Sequence, residues 1–196
     1  EGVLIMANYV SSALTFNVIS KEGEKVVQET IDNMRSRSGS QFEIPLGYAF
    51  VENLESADSK FMCENVGAKW AYMNDGDTDF MTFESAWSPP TEFVEHLIEK
   101  VALVDENVVA CFKYEDEMPN FIGAEVYTSE GLYDAEEIEW EEILEKIFVS
   151  EPELKEEYDD ETGFSEKGDD ILSEVKYELM QEWQNDTLNL MMRFGY

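Results

Sequence analysis

The spacing of apolar residues changes from that of a strand to that of a helix within one stretch, residues 80–101. Residues 80–85 alternate along the chain and are rich in aromatic and β-favouring side chains, which predicts a strand. A stripe with the spacing of an amphipathic helix follows, at Phe93, Val94, Leu97, Ile98 and Val101. Ser88 is predicted to cap this helix and Pro89 to take its first position, where a fixed φ is favourable. Trp87, at the junction, is interpreted as structural.

The alternating spacing of strands and the apolar spacing of amphipathic helices predict most of the elements as far as residue 131. Strands are predicted over residues 9–19, 67–73, 107–114 and 121–127, a helix from Lys21 to residues 35–39, and a hairpin turn over 74–79. Residues 41–66 predict only a short extended piece and one or two helical turns. The resulting order, with one extra strand at its end, is the split β-α-β of ferredoxin-like folds. We therefore expect an α+β protein in which an antiparallel sheet carries helices on one face. Its core should include Trp70, Phe83, Phe93, Leu97, Val109 and Phe112.

The composition changes after this unit. Residues 134–174 hold eighteen acidic residues and three lysines. Apolar spacing predicts a helix over 137–149, an acidic loop over 151–170 and a long helix over 171–192. The predicted organisation is a ferredoxin-like domain over residues 6–131 and an acidic helical extension over 132–196, packed on or beside that domain.

Charge narrows the classes of partner. The 196 residues include 45 Asp and Glu but 13 Lys and Arg, a formal net charge of −32, while 43% hydrophobic residues suffice for a folded core. A surface this negative repels nucleic-acid phosphates and anionic membranes. We therefore expect no direct nucleic-acid or membrane binding, and a protein partner with a basic surface.

Cysteine usage and the absence of long apolar runs predict a cytoplasmic location. Cys63 and Cys111 lie in apolar surroundings and are expected to be buried, reduced thiols rather than a disulfide framework. Residues 3–6 are too short and too acidic in their flank to form a signal peptide. No run approaches the roughly 18 apolar residues of a membrane helix.

Three motifs within residues 65–128 resemble one family. They are Gly67-Ala-Lys-Trp70, Phe83-Glu-Ser-Ala-Trp87-Ser-Pro-Pro90, and Tyr114 followed by Phe121 and Gly123. Together they are similar to the ferredoxin-like domain of a family of phage- and plasmid-encoded proteins of unknown function. Ala68 stands where that family usually has a hydroxyl residue. The resemblance implies a mobile-element origin and the same fold, and it implies no activity.

Catalytic and metal-binding patterns are weak. His96 is the only histidine, so a Ser–His–Asp or Cys–His arrangement has little support, and no His/Cys cluster has zinc spacing. Asp75, Asp77 and Asp79 open like an EF-hand loop, but Phe80 occupies the position that requires glycine. Acidic pairs occur throughout a chain with 45 acids and carry little information. We expect no cofactor, no metal and no enzymatic activity; a carboxylate-based metal enzyme is the weakest alternative.

The leading hypothesis is a non-enzymatic phage accessory protein. Its acidic surface would imitate the phosphates of nucleic acid and bind a host protein such as a defence factor. The stronger version of this hypothesis is that binding inhibits the host protein. The predicted partner-binding residues are Glu136, Glu137, Glu141, Glu145, Glu156, Glu157, Asp159, Asp160 and Glu161. The same charge could instead serve solubility or adaptation to salt. The alternative from another class is an assembly protein that self-associates through an open sheet face or a stripe of Trp183, Met191 and Met192.

Overall fold

The computed structural model of the protein describes residues 8–117, 120–158, 164 and 166–194. Its strands are β1 (Tyr9–Val18), β2 (Ile44–Pro45), β3 (Ala71–Gly76), β4 (Phe80–Ala86), β5 (Val109–Asp116), β6 (Phe121–Thr128) and β7 (Gly131–Glu139). Its α-helices are α1 (Lys21–Ser38), α2 (Ser59–Asn65), α3 (Thr91–Ala102), α4 (Trp140–Ser150), α5 (Leu154–Glu157) and α6 (Glu166–Phe194). Two short 3-10 turns, Leu46–Ala49 and Leu54–Ser56, precede α2.

All the strands belong to one sheet, in the order β2-β3-β4-β1-β5-β6-β7. Every neighbouring pair is antiparallel. Helix α1 follows β1 and leads to β2, on the far side of β4 and β3, and α3 connects β4 to β5 across β1. The α+β class and the antiparallel sheet, both predicted from the element order, are confirmed.

One face of the sheet packs against α1 and α3. Alternate residues of β1, among them Leu14, join apolar residues of both helices in a single core. Phe83 lies at its centre, with ring centroids 5.6 Å from Phe93 and 6.2 Å from Phe112. Burying an aromatic side chain of this size contributes about 1.5–3 kcal/mol, so this cluster is a main source of stability.

Helices α4 and α6 cover part of the opposite face. Val109, Cys111 and Val126 pack there against Trp183 and Leu188 of α6. A second cluster joins Ile122, Ile138, Ile143, Ile147 and Leu154. The predicted core is correct for Val109 in burial, but its side chain faces these later helices. Trp70 is only half-buried and Cys63 is exposed, so both were wrongly predicted as buried; Cys111 is buried.

The first helix follows the sequence prediction at both ends. The Ser20 hydroxyl accepts a hydrogen bond from the Gly23 N–H at 3.2 Å, which satisfies one of the free donors of the first turn. Gly39 ends the helix with φ 67°, a left-handed conformation that glycine adopts without a Cβ penalty. Here local sequence chemistry is enough to determine the element.

The junction between β4 and α3 differs from its prediction. Ser88 does not cap the helix: its hydroxyl donates to the Gly67 carbonyl at 2.6 Å, and α3 begins at Thr91. Trp87 adopts φ 63°, a left-handed turn that costs a non-glycine residue about 1–2 kcal/mol. Gly67 lies against the start of α3, where a Cβ would lie 3.0 Å from the Pro89 carbonyl oxygen. Ser88 and Gly67, from two separate motifs, are therefore joined by a long-range contact. A capping rule that considers only neighbouring residues does not predict it.

Strand β7 is the largest departure from the prediction. The sequence predicted a helix from Glu137, but residues 131–139 pair with β6 and the helix starts at Trp140. Gly131, at φ 103°, closes the hairpin that brings β7 onto β6. Glutamate and alanine are good helix formers, but helix propensity is a small energy per residue, and pairing with an existing strand overrides it. The sheet thus continues past residue 131, where a domain boundary was predicted.

Candidate protein-interaction surface

Five of the nine predicted partner-binding side chains are described. Glu136 and Glu137 lie on β7, Glu141 and Glu145 on α4, and Glu156 on α5. All five are classed as exposed. The backbone of Glu157 lies on α5, and Asp159, Asp160 and Glu161 lie outside the described residues.

The edge position of β7 determines where its carboxylates point. β7 ends the strand order, and β6 is its one neighbour among the described strands. Glu136 pairs with Ala124 and Glu137 with Gly123. Because successive side chains of a strand point to opposite faces, these two glutamates diverge instead of sharing a helix face.

Glu137 has a hydrogen-bonding partner inside the protein. The Tyr114 hydroxyl donates to Glu137 Oε2 at 3.2 Å. The tyrosine ring crosses β6 at Gly123, where a Cβ would overlap it. Burial, together with the nearby carboxylates Glu125 and Glu137, raises the pKa of the Tyr114 phenol, which stays a neutral donor. One oxygen of the Glu137 carboxylate is therefore used in a contact within the protein.

Beside this contact lies a more deeply buried carboxylate, Glu125 on β6. Its Oε2 accepts a hydrogen bond from the Tyr127 hydroxyl at 2.5 Å. Burial raises the pKa of the Glu125 carboxyl, although the Tyr127 hydrogen bond opposes the rise. Sequence reasoning did not identify this network, because Tyr114 and Glu137 reach Glu125 and Tyr127 only through the pairing of β5, β6 and β7.

Helix α4 exposes a row of carboxylates. Its buried side holds Ile143 and Ile147. Lys146 forms an ion pair with Glu142 at 3.6 Å. Among the described residues, no lysine or arginine forms an ion pair with Glu141 or Glu145, which are four residues apart. Like charges at this spacing destabilise a helix by about 0.2–0.5 kcal/mol.

The acidic surface also includes two β7 residues that sequence reasoning missed. Asp134 and Glu139 are exposed on the same strand as Glu136. The Asp134 carboxylate also accepts the Ala135 N–H at 3.0 Å. The available signal was the turn at residues 129–131, whose glycine favours a hairpin over a continuing loop. We call the exposed carboxylates of β7 and α4 the acidic edge: Asp134, Glu136, Glu137, Glu139, Glu141, Glu142 and Glu145.

The other candidates have structural surroundings. His96 is half-buried with its ring 4.9 Å from Phe50, and burial together with Lys100 lowers its pKa. Asp75 and Asp77 each accept the N–H of the next residue, at 2.8 and 2.7 Å. Across the described part of the chain, no group of three or more His, Cys, Asp or Glu residues could hold a metal ion.

The stripe considered for self-association is described only in part. Trp183 packs against the core of the second sheet face, whereas the side chains of Met191 and Met192 lie outside the description. In the described ranges, no helix has both the length and the apolar content that a membrane crossing needs.

Comparisons with family models, with curated proteins and with solved structures found no match. What the protein does must therefore be inferred from its own residues and their arrangement.

Proposed function

We propose that this protein is a non-enzymatic accessory protein of a phage or related mobile element. It binds a host protein whose surface is basic, and it inhibits that protein by occupying the basic surface. The resemblance within residues 65–128 supports the origin. The interleaved order β3-β4-β1-β5, joined by α1 and α3, supports assignment of this part as a ferredoxin-like unit.

The observation that carries this proposal is the acidic edge. Seven exposed carboxylates lie on β7 and α4 within twelve residues, and the sequence places no lysine or arginine among residues 131–145. In the described residues Lys146 neutralises one of them, Glu142. Carboxylates held on regular elements present a negative potential of defined shape, which increases association rates with a positive partner.

A nucleic-acid-binding cleft is the basic surface that this edge fits best. Such clefts hold lysine and arginine side chains spaced to meet phosphates, and rigidly held carboxylates can replace those phosphates. Binding would then weaken steeply as salt rises, because the contacts are between exposed charges.

The test is affinity capture from host lysate with three proteins of the same fold. The first is the wild type, and the second carries Glu136→Lys, Glu141→Lys and Glu145→Lys. The third is a charge-matched control with Glu22→Lys, Glu52→Lys and Glu55→Lys, all exposed and located on α1 and on the segment between β2 and α2. We expect one partner to be retained by the wild type and the control, lost by the edge variant, and displaced by duplex DNA.

Two outcomes would contradict the proposal. Capture that survives reversal of the acidic edge would show that those carboxylates do not bind the partner. A salt-insensitive oligomer with no captured partner, measured by light scattering, would favour an assembly role instead.

A further inference from the structure

An open pocket lies on the sheet face opposite α1 and α3, away from the acidic edge. Strands β1, β3 and β4 form its floor. It encloses about 440 Å³ and is lined by Tyr9, Glu43, Trp70, Tyr72, Asn74 and Glu84. This volume lies within the range of ligand-binding pockets. None of these residues belongs to the predicted acidic site.

Three aromatic rings form one continuous wall. The ring centroids of Tyr9 and Trp70 lie 5.2 Å apart at an interplanar angle of 63°, and those of Trp70 and Tyr72 lie 5.7 Å apart at 43°. Tyr9 is 41% exposed, and Trp70 and Tyr72 are half-buried. Partly exposed rings that touch one another form a contiguous apolar surface, and such surfaces are candidates for a binding role.

Strand register places these rings beside a carboxylate. Tyr72 pairs directly with Glu84 across β3 and β4, so the two side chains share a face. Trp70, two residues before Tyr72, falls on that face as well, and its carbonyl accepts the Ala86 N–H at 3.1 Å. Tyr9 pairs with Ala86 from the other side. Tyr9 and Tyr72 therefore lie on paired strands, and Trp70 is held by its backbone hydrogen bond one residue before β3.

A second carboxylate comes from the segment before β2. Pro45 pairs with Tyr72, which brings Glu43 to the rim of the pocket. Glu43 has φ 52°, in the left-handed region that a non-glycine residue rarely adopts. Among the described residues, no lysine, arginine or hydrogen-bond donor pairs with Glu43 or Glu84. The pocket thus holds two carboxylates that have no partner in the described part of the chain.

Aromatic faces and carboxylates select the same sign of charge. The face of an aromatic ring attracts a cation through its quadrupole, most strongly for tryptophan, and the carboxylates add full negative charge. A planar guanidinium suits both, because it stacks on a ring while its N–H groups point outward in a fork towards carboxylates. A quaternary ammonium could stack but could donate nothing to Glu43 or Glu84.

We propose that this pocket binds an arginine side chain of a protein partner, stacked against Trp70 with its N–H groups on Glu84 and Glu43. The inference rests on the proposed function and specifies one contact of that partner. The chain's net charge of −32 favours a basic protein, and the pocket is larger than a guanidinium alone, so it also accepts the neighbouring part of the partner. The acidic edge attracts the basic partner, and the pocket binds one arginine of that partner.

The test is an NMR titration of the ¹⁵N-labelled full chain with three small probes: Nα-acetylarginine methylamide, its neutral citrulline analogue and tetramethylammonium. We expect saturable shifts of the Trp70 indole N–H and the Asn74 side-chain amide with the arginine probe, at least fivefold weaker shifts with tetramethylammonium, and none with citrulline. Trp70→Phe assigns the indole signal.

Glu84→Gln should weaken binding of the arginine probe at least fivefold. Glu99→Gln, which removes one exposed charge from α3, should leave it within twofold. The inference is overturned by equal binding of citrulline, by tighter binding of tetramethylammonium, or by equal effects of the two substitutions.

The two proposals fail separately. A partner that is captured by the wild type and lost only on reversal of the acidic edge, with Glu84→Gln unchanged, supports the function and refutes the pocket. Saturable arginine binding without any host partner does the opposite.

Discussion

Carboxylates lie beside aromatic residues on both faces of the described sheet. On one face they accept hydrogen bonds from tyrosine hydroxyls, and on the other they lie beside the rings themselves. On the face covered by α3, the Tyr127 hydroxyl donates to Glu125 and the Tyr114 hydroxyl donates to Glu137. In the open pocket, rings line a wall beside Glu84, and no described donor reaches that carboxylate. The first arrangement satisfies its acids within the fold. The second leaves them available to a cation from outside.

The comparison implies that the two places respond differently to mutation. A carboxylate that belongs to an internal network should affect stability when it or its donor changes. Mutation of a carboxylate in the open pocket should weaken ligand binding and leave the stability of the fold nearly unchanged. The predictions below run from the largest expected effect to the smallest.

Gly123→Ala should be the most damaging change. The added Cβ would overlap the Tyr114 ring, which lies across this position between two neighbouring strands. Overpacking of a filled site costs about 1–3 kcal/mol, and we expect a loss towards the upper end in urea unfolding. The double variant with Tyr114→Leu should lose less than the sum of the two single changes. Full additivity would show that the ring does not depend on the glycine.

Tyr127→Phe should destabilise the protein less. It removes the donor to Glu125 while keeping the ring, so a buried carboxylate loses its hydrogen bond, at a cost of about 1–3 kcal/mol. Adding Glu125→Gln should recover much of that loss, because a neutral amide is less costly to bury than a charge. Thermal unfolding at one pH measures both, and no recovery would argue against a charged Glu125.

The pH dependence of stability provides the third prediction. Burial raises the pKa of Glu125 in the folded protein above its unfolded value. The stability linked to this group is therefore full below the unfolded pKa and is lost as pH rises through the folded pKa. Glu125→Gln should make the change in unfolding free energy between pH 4 and pH 8 less negative than in the wild type. An unchanged slope would contradict the shift.

Glu84→Gln should change stability least, within about 0.5 kcal/mol, because no described partner depends on this carboxylate. The measurement is urea unfolding of the variant and the wild type in parallel. A loss of about 2 kcal/mol would show that Glu84 belongs to an internal network, and the difference between the two places would disappear.

Local chemistry predicted the elements that depend on neighbours in sequence. The Ser20 cap, the Gly39 stop and the alternation of β4 all follow from residues within a few positions of one another. The apolar stripe of α3 was also correct, since Phe93, Leu97 and Val101 are buried. In each case the same residues that form the element also form its contacts.

Long-range contacts determined the rest. Strand β7 forms because β6 offers an unpaired edge, and the helix-favouring residues of 135–139 cannot reveal that edge. Ser88 was assigned as a cap because its true partner, Gly67, lies 21 residues away. The aromatic pocket draws Tyr9, Glu43 and Glu84 from separate segments, so no motif marks it. The acidic composition was visible, but its division between two faces of an edge strand was not.

The most direct test of the contrast between the two carboxylates follows both in one sample. In protein labelled with ¹³C at glutamate side chains, the carboxyl signals of Glu84 and Glu125 are recorded at pH 7 as Nα-acetylarginine methylamide is added. A saturable shift of Glu84 with a stationary Glu125 is the expected result. A stationary Glu84, or shifts of equal size at both residues, would contradict the claim that the open pocket holds a carboxylate free to bind arginine.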